Sequence, residues 1–184
     1  EIKNILVGTS PFLYEDQEIN FDWYFINDIT DAFAERHQKR CALVHEYAGI
    51  NWEEDEDDEF NNLFVPMLSE VCRKMDFDNL KIIQGRSFLQ FPLNLKDRTP
   101  DTPHIDIEDK EHIVALYYVC DSDGDTIIYN ERKDQGVEAK SYTIKEKVTP
   151  KQGRMVIFDG TLYHTAEQPK DNIRCVVNYD LELS

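Results

Sequence analysis

A chain of 184 residues with 37 acidic against 20 basic side chains, and hence a net charge of −17, is long enough to bury one hydrophobic core without disulfide support. Its negative field repels phosphate backbones and anionic bilayers, so nucleic acid is disfavoured as a partner, and no apolar run approaches the roughly 18 residues a membrane span needs. Cys41, Cys72, Cys120 and Cys175 lie far apart in apolar surroundings with no Cys-x-x-Cys pair, which predicts reduced core thiols. A soluble, cytoplasmic protein without a signal segment is expected.

In chain order, the aromatic stretch 21–26 reads as a strand, and Asp28 or Thr30 can cap a helix over 30–40. The unbroken acidic run at 53–59 belongs on a solvated loop or at a helix N-terminus. Phe60, Leu63, Phe64, Met67, Leu68, Val71, Cys72 and Met75 recur at helical spacing, which predicts an amphipathic helix packed on a sheet. Pro66 lacks the N–H that a helix interior uses, so a kink or a helix start is expected there. From Leu80 onward the runs 81–91, 111–120, 126–130, 141–147, 155–158 and 173–183 read as strands separated by turn formers. Helices first and many short strands later predict an α+β, mainly β domain spanning 1–184. Residues 1–79 would give helical and strand support packed on one sheet, and 80–184 would form a jelly-roll (double-stranded β-helix, cupin-like) barrel.

His104 and Asp106 carry the first chemical signal, because residues i and i+2 of an extended segment point to the same side. One imidazole and one carboxylate can then grip one metal. His164, just beyond the run 154–158 and the Asp159-Gly160 turn, supplies a second imidazole. Two histidines and a carboxylate form a facial triad that leaves open positions on non-haem Fe(II). Arg174 follows ten residues after His164, across a Pro-Lys-Asp-Asn turn, and opens an apolar run of Cys175, Val176 and Val177. An arginine opening a buried strand needs an anion, and its always-charged fork suits the far carboxylate of a metal-chelating keto acid.

Several blocks in this order resemble the Fe(II)/2-oxoglutarate-dependent oxygenase superfamily, and within it the prolyl 4-hydroxylase-like group. They are Thr-Pro-His-Ile-Asp at 102–106, Ala-Leu-Tyr-Tyr-Val at 115–119, Asp-Gly-Asp-Thr at 123–126, the approach to His164 over 148–158, and Arg-Cys-Val-Val-Asn-Tyr at 174–179. The resemblance spans about 80–184, and the short acidic build is similar to phage- or virus-encoded members. It implies His104, Asp106 and His164 as iron ligands and Arg174 as the anchor for the C5 carboxylate of 2-oxoglutarate. Tyr118 would hydrogen-bond that carboxylate, and strand parity agrees, because Val114, Leu116 and Tyr118 share a face. Where the family places another cosubstrate residue, on the strand 84–90, Arg86 and Gln90 stand as alternatives.

The implied activity is a dioxygenase that converts 2-oxoglutarate and dioxygen to succinate and carbon dioxide while hydroxylating an unactivated C–H bond, with ascorbate as a supporting reductant. A prolyl residue of a peptide or protein is the first substrate expectation, and a small molecule or free amino acid is the second. Nucleic-acid dealkylation is disfavoured because such relatives carry a second arginine six residues after the first, where this chain has Asp180. From another class, a non-catalytic cupin-like metal-binding module is the competing reading, although no ligand is missing. Asp121, Asp123 and Asp125 imitate a calcium loop, but the glycine falls at 124 and Arg132 occupies the closing glutamate position. They are expected to form a turn. His37, His45 and His112 are read as non-catalytic.

Overall fold

The computed structural model describes residues 1–29, 39–49, 58–77, 80–133 and 141–183. The helix expected over 30–40, most of the acidic run and His37 fall largely or wholly outside these residues. The described elements are α1 (Ile2–Leu6), β1 (Phe12–Tyr14), β2 (Gln17–Ile19), β3 (Tyr24–Ile26), β4 (Ala42–Ala48), α2 (Asn61–Met75), β5 (Leu80–Gln90), β6 (Ile113–Tyr118), β7 (Thr126–Arg132), β8 (Ile144–Val148), β9 (Met155–Asp159), β10 (Leu162–Ala166) and β11 (Arg174–Leu183). The protein is thus mostly antiparallel β with few helices.

Six strands pair in the order β3-β4-β5-β11-β6-β9, and three more in the order β10-β7-β8. The strands β4 and β3 extend the large sheet beyond β5, so the N-terminal part of the chain builds the same sheet that carries the C-terminal strands. The sequence pattern missed β4, because Ala42-Leu43-Val44-His45 has no clean alternation. It also missed the β1–β2 hairpin, whose two turn residues Glu15 and Asp16 both take positive φ (47° and 63°) in place of the usual Asn-Gly. Of the strand expected over 21–26, only Tyr24–Ile26 pairs.

Helix α2 starts at Asn61 and runs through Pro66, which removes the helix start at that proline as one of the two alternatives. It ends where Asp76 adopts a left-handed φ of 59° and the backbone N–H groups of Asp76 and Phe77 donate to the Cys72 carbonyl. Phe60, Leu63, Phe64 and Leu68 from this segment pack with Ile5, Leu6, Tyr47, Leu89, Val177, Tyr179 and Leu181 on the outer face of the large sheet. Tyr179 Oη donates to Asn61 Oδ1 at 2.9 Å and Asn61 Nδ2 donates to the Tyr47 carbonyl at 3.0 Å, so the polar tips inside this layer are satisfied. Gly85 is required here, because a Cβ at that position would lie 2.5 Å from the Tyr179 ring.

The inner face of the large sheet carries a second, smaller cluster of Val114, Leu116, Tyr118 and Val176, with Phe88, Val148, Val156 and Phe158 against it. The small sheet faces this side. Tyr118 on β6 bonds Thr126 on β7, and the Phe158 and His164 rings meet at 5.1 Å. All four cysteines are free, as expected; Cys120 and Cys175 are buried while Cys41 and Cys72 are only half-buried. Among the described residues no helix is long and apolar enough to cross a membrane.

Candidate metal centre and anion pocket

His164 sits on β10, opposite Ile128 of β7, whereas the sequence reading placed it just past a strand. The turn Asp159-Gly160-Thr161 connects β9 to β10, with the Asp159 carboxylate accepting both N–H and O–H of Thr161. The segment around His104 belongs to no strand. It makes one antiparallel bridge, with His104 N–H donating to the His164 carbonyl and His164 N–H donating back, both at 3.0 Å. A hydrogen-bonded pair of this kind sets two side chains on the same side of the ladder, and the imidazole centroids stand 4.8 Å apart.

Asp106 completes the group. One ligand atom from each of His104, Asp106 and His164 lies within 4.8 Å of the others. Asp106 Oδ2 is 3.2 Å from His164 Nε2, and Oδ1 is 3.8 Å from His104 Nε2. In both rings Nδ1 meets a backbone carbonyl, Thr102 O at 3.0 Å and Leu162 O at 3.2 Å. A carbonyl only accepts, so each Nδ1 carries a hydrogen and Nε2 is the ring atom turned toward Asp106. Backbone acceptors fixing the ring tautomer are a recurrent support of metal-binding histidines.

Electrostatics favour the ligand-ready protonation states. Burial opposes ionisation of Asp106, yet His164, Arg86 and His104 hold its carboxyl well below the usual carboxylate range. Desolvation, then the neighbouring His164, lowers the pKa of His104. A charged carboxylate beside a neutral imidazole is the state a cation takes without first displacing protons.

These residues open on a cavity of about 490 Å³ between the two sheets, lined on one side by Arg86, Phe88, Gln90, Leu116 and Val176, and on the other by Thr126 and His164. At its far end lies Arg174, only 5 % exposed. Its guanidinium donates to the Gly124 carbonyl (3.1 Å), Gln90 Oε1 (2.8 Å) and Thr126 Oγ1 (2.9 Å). All three acceptors are neutral. Burial pushes its pKa down from the ordinary arginine value, and a buried cation without an anionic hydrogen-bond partner is costly. Gly124 is pressed between the Glu167 carbonyl and the Arg174 stem, where a Cβ would come within 2.6 Å and 3.2 Å of them.

Tyr118 is buried and donates from Oη to Thr126 Oγ1 at 2.8 Å, so it reaches the same hydroxyl that Arg174 holds. Burial raises its pKa, with Arg174 and Thr126 opposing. Of the two alternatives on β5, Gln90 stands beside Arg174, while Arg86 Nη2 donates to Asp106 Oδ1 at 2.9 Å. Thr126 was not singled out from the sequence. Strand parity could have found it, since it is two residues from Ile128, the position opposite His164. Asp123 sits at a bend, and its carboxylate accepts the backbone N–H groups of Lys170, Asp171 and Asn172 from the segment before β11. His45 is buried between the Asp22 carbonyl and Asp58, on the outer side of the sheet. His112 is buried just before β6.

No protein-family model matches the sequence, and no curated protein matches it. The fold is nevertheless similar to solved structures. An oxidoreductase of the 2OG-Fe(II) oxygenase family from Burkholderia pseudomallei superposes with a TM-score of 0.60 at 11 % identity, covering 88 % of this chain and 73 % of that one. The non-heme alpha-ketoglutarate-dependent epimerase SnoN from nogalamycin biosynthesis gives 0.57 at 12 % identity over 77 % and 61 % of the two chains. The alpha-ketoglutarate-dependent carbocyclase SnoK of the same biosynthesis gives 0.56 at 14 % identity over 76 % and 62 %. This chain therefore shares its fold with 2-oxoglutarate and Fe(II) oxygenases.

Proposed function

We propose that this chain is an Fe(II)- and 2-oxoglutarate-dependent dioxygenase that hydroxylates an unactivated C–H bond. The observation that carries the reading is one cavity with a two-histidine, one-carboxylate group at one end and, at the other, a buried guanidinium whose hydrogen-bond acceptors among the described residues are all neutral. A jelly-roll is part of this reading, supported by two antiparallel sheets and by the His104 bridge that lies along β10 of the small one.

His104, Asp106 and His164 would hold Fe(II), whose borderline character suits two imidazoles and a carboxylate and whose remaining positions stay free for exchangeable ligands. Arg174 would take the C5 carboxylate of 2-oxoglutarate with its remaining N–H donors, because among the described residues three of its five are engaged. Thr126 and Tyr118 fix the height of that anchor. Thr126 is two residues along β7 from the position opposite His164, roughly 7 Å by the strand rise, which is of the order of a five-carbon diacid. When bound, Fe(II) with 2-oxoglutarate and dioxygen supplies the oxidising chemistry, in which the keto acid is decarboxylated to succinate and oxygen is inserted into the substrate. Phe88, Leu116, Phe158 and Val176 line the cavity with apolar surface, which would limit water at the reacting centre once substrate is bound.

For the substrate, a prolyl residue of a peptide or protein follows from the sequence resemblance to the prolyl 4-hydroxylase-like group. The similarity of the fold to SnoN and SnoK supports a small-molecule substrate as a second reading. Succinate release from 2-oxoglutarate with Fe(II) and ascorbate tests the activity. Wild type should turn over, His164→Ala should fall to background, and Arg174→Ala should need far more 2-oxoglutarate. Metal binding without any turnover would favour the cupin-like binding module instead. Screening proline-containing peptides beside free amino acids for a one-oxygen mass gain separates the two substrate readings.

A further inference from the structure

Asp106 has little backbone to hold it. It lies at a bend two residues past a single bridge, yet a metal ligand must be fixed within a fraction of an ångström to bind well. Its side chain is instead held from the large sheet. Arg86 on β5 and Asn178 on β11 are direct cross-strand partners, and both aim at this one carboxylate: Arg86 Nη2 donates to Oδ1 at 2.9 Å and Asn178 Nδ2 reaches Oδ2 at 3.4 Å.

The two contacts are unequal. Oδ1 receives the short, charge-assisted bond, while Oδ2 has a long amide contact and faces His164 Nε2 at 3.2 Å. Arg86 is itself held in place, with Phe88 on the same strand face placing its ring 5.3 Å from the guanidinium carbon and Asp180 Oδ2 lying 3.6 Å behind Nη2. Its side chain is 21 % exposed, toward the cavity. A guanidinium on a rigid central strand thus occupies one carboxylate oxygen and leaves the other for the cation.

We propose that Arg86 is a positioning residue that turns Asp106 into a one-oxygen ligand presented through Oδ2. This inference rests on the metal-centre reading above. It also has a sign that simple electrostatics opposes. A positive charge beside a cation site weakens binding, so on charge alone Arg86→Met should bind a metal more tightly than wild type. The positioning role requires the reverse.

The test is Co(II) titration of the apoprotein, followed by its visible absorption, with thermal unfolding of each variant measured alongside. Arg86→Met should weaken Co(II) binding about 10- to 100-fold, as loss of a group supporting a ligand does, and should change the Co(II) spectrum as the carboxylate reorients. Arg86→Lys keeps a donor without the planar fork and should lose only several-fold, recovering most of the wild-type spectrum. Equal or tighter binding by Arg86→Met overturns the proposal, as does a fall in thermal stability with unchanged Co(II) affinity and spectrum. If Arg86→Met does not fold, Arg86→Lys decides: several-fold weaker binding supports the role, and unchanged or tighter binding ends it. A wild-type protein that binds no Co(II) fails at the metal centre itself, an outcome distinct from variants that bind as well as wild type.

Discussion

The two faces of the large sheet are built from alternate residues of the same strands, yet they obey opposite rules. On β11, Cys175, Val177 and Tyr179 enter the apolar outer layer beneath α2, whereas Arg174, Asn178 and Asp180 point to the cavity side. In the outer layer the polar tips of Tyr179 and Asn61 find partners. Among the described residues, the buried side-chain atoms without a hydrogen-bond partner are Arg86 Nε, His112 Nε2, Asn178 Oδ1 and both Asp180 oxygens. Each such atom costs about 1–3 kcal/mol, and they cluster around Asp106 and the strands beside it. The outer layer is thus apolar with its polar tips paired, while the inner face keeps buried polar atoms whose nearest charged neighbours, Arg86 and His112 against Asp180, stand at 3.6 and 3.7 Å. Burial and the Asp106 charge raise the pKa of Asp180, with Arg86 opposing, whereas His164, Arg86 and His104 lower that of Asp106, so two neighbouring carboxylates on this side of the sheet are pushed in opposite directions.

This division can be broken from either side. Phe64→Ala removes a fully buried ring from the outer layer and should cost about 3–5 kcal/mol in chemical denaturation, with the 2-oxoglutarate requirement of the remaining folded protein unchanged. Altered cosubstrate affinity would show that the two faces are coupled. Arg174→Gln should do the reverse. Losing a buried charge partner for a carboxylate costs about 3 kcal/mol, roughly 100-fold in 2-oxoglutarate affinity, while thermal stability holds or rises because the guanidinium is buried among neutral acceptors. Thr126→Val keeps the shape but deletes the hydroxyl shared by Arg174 and Tyr118. It should cost about 1–2 kcal/mol, near tenfold in the same affinity.

The smallest effect concerns pH and lies on the outer side. Burial disfavours charge on His45, but Asp58 and Asp22 outweigh it and raise its pKa above 6.5. A raised histidine gives stability that is complete below its unfolded value and disappears as pH climbs through the folded one. Unfolding free energy should therefore decline across that window in wild type and stay flatter in His45→Gln. An equal slope in the variant would remove His45 from the account.

Much of this was legible in the chain itself. Helical spacing from Phe60 to Met75 gave α2, because burying one stripe requires a period near 3.6. The shared face of Val114, Leu116 and Tyr118 on β6 followed from the period of two. The types and spacing of His104, Asp106, His164 and Arg174 pointed to a candidate metal group and to the anion anchor proposed above, and the structure brings the first three together. Folding alone decided the rest. That His104 pairs with His164, that Thr126 holds Arg174, and that Arg86 reaches Asp106 while Gln90 goes to the other end are contacts between segments 20 to 84 residues apart. No local period encodes such pairs. They arise from strand register, which is set by the packing of both faces at once.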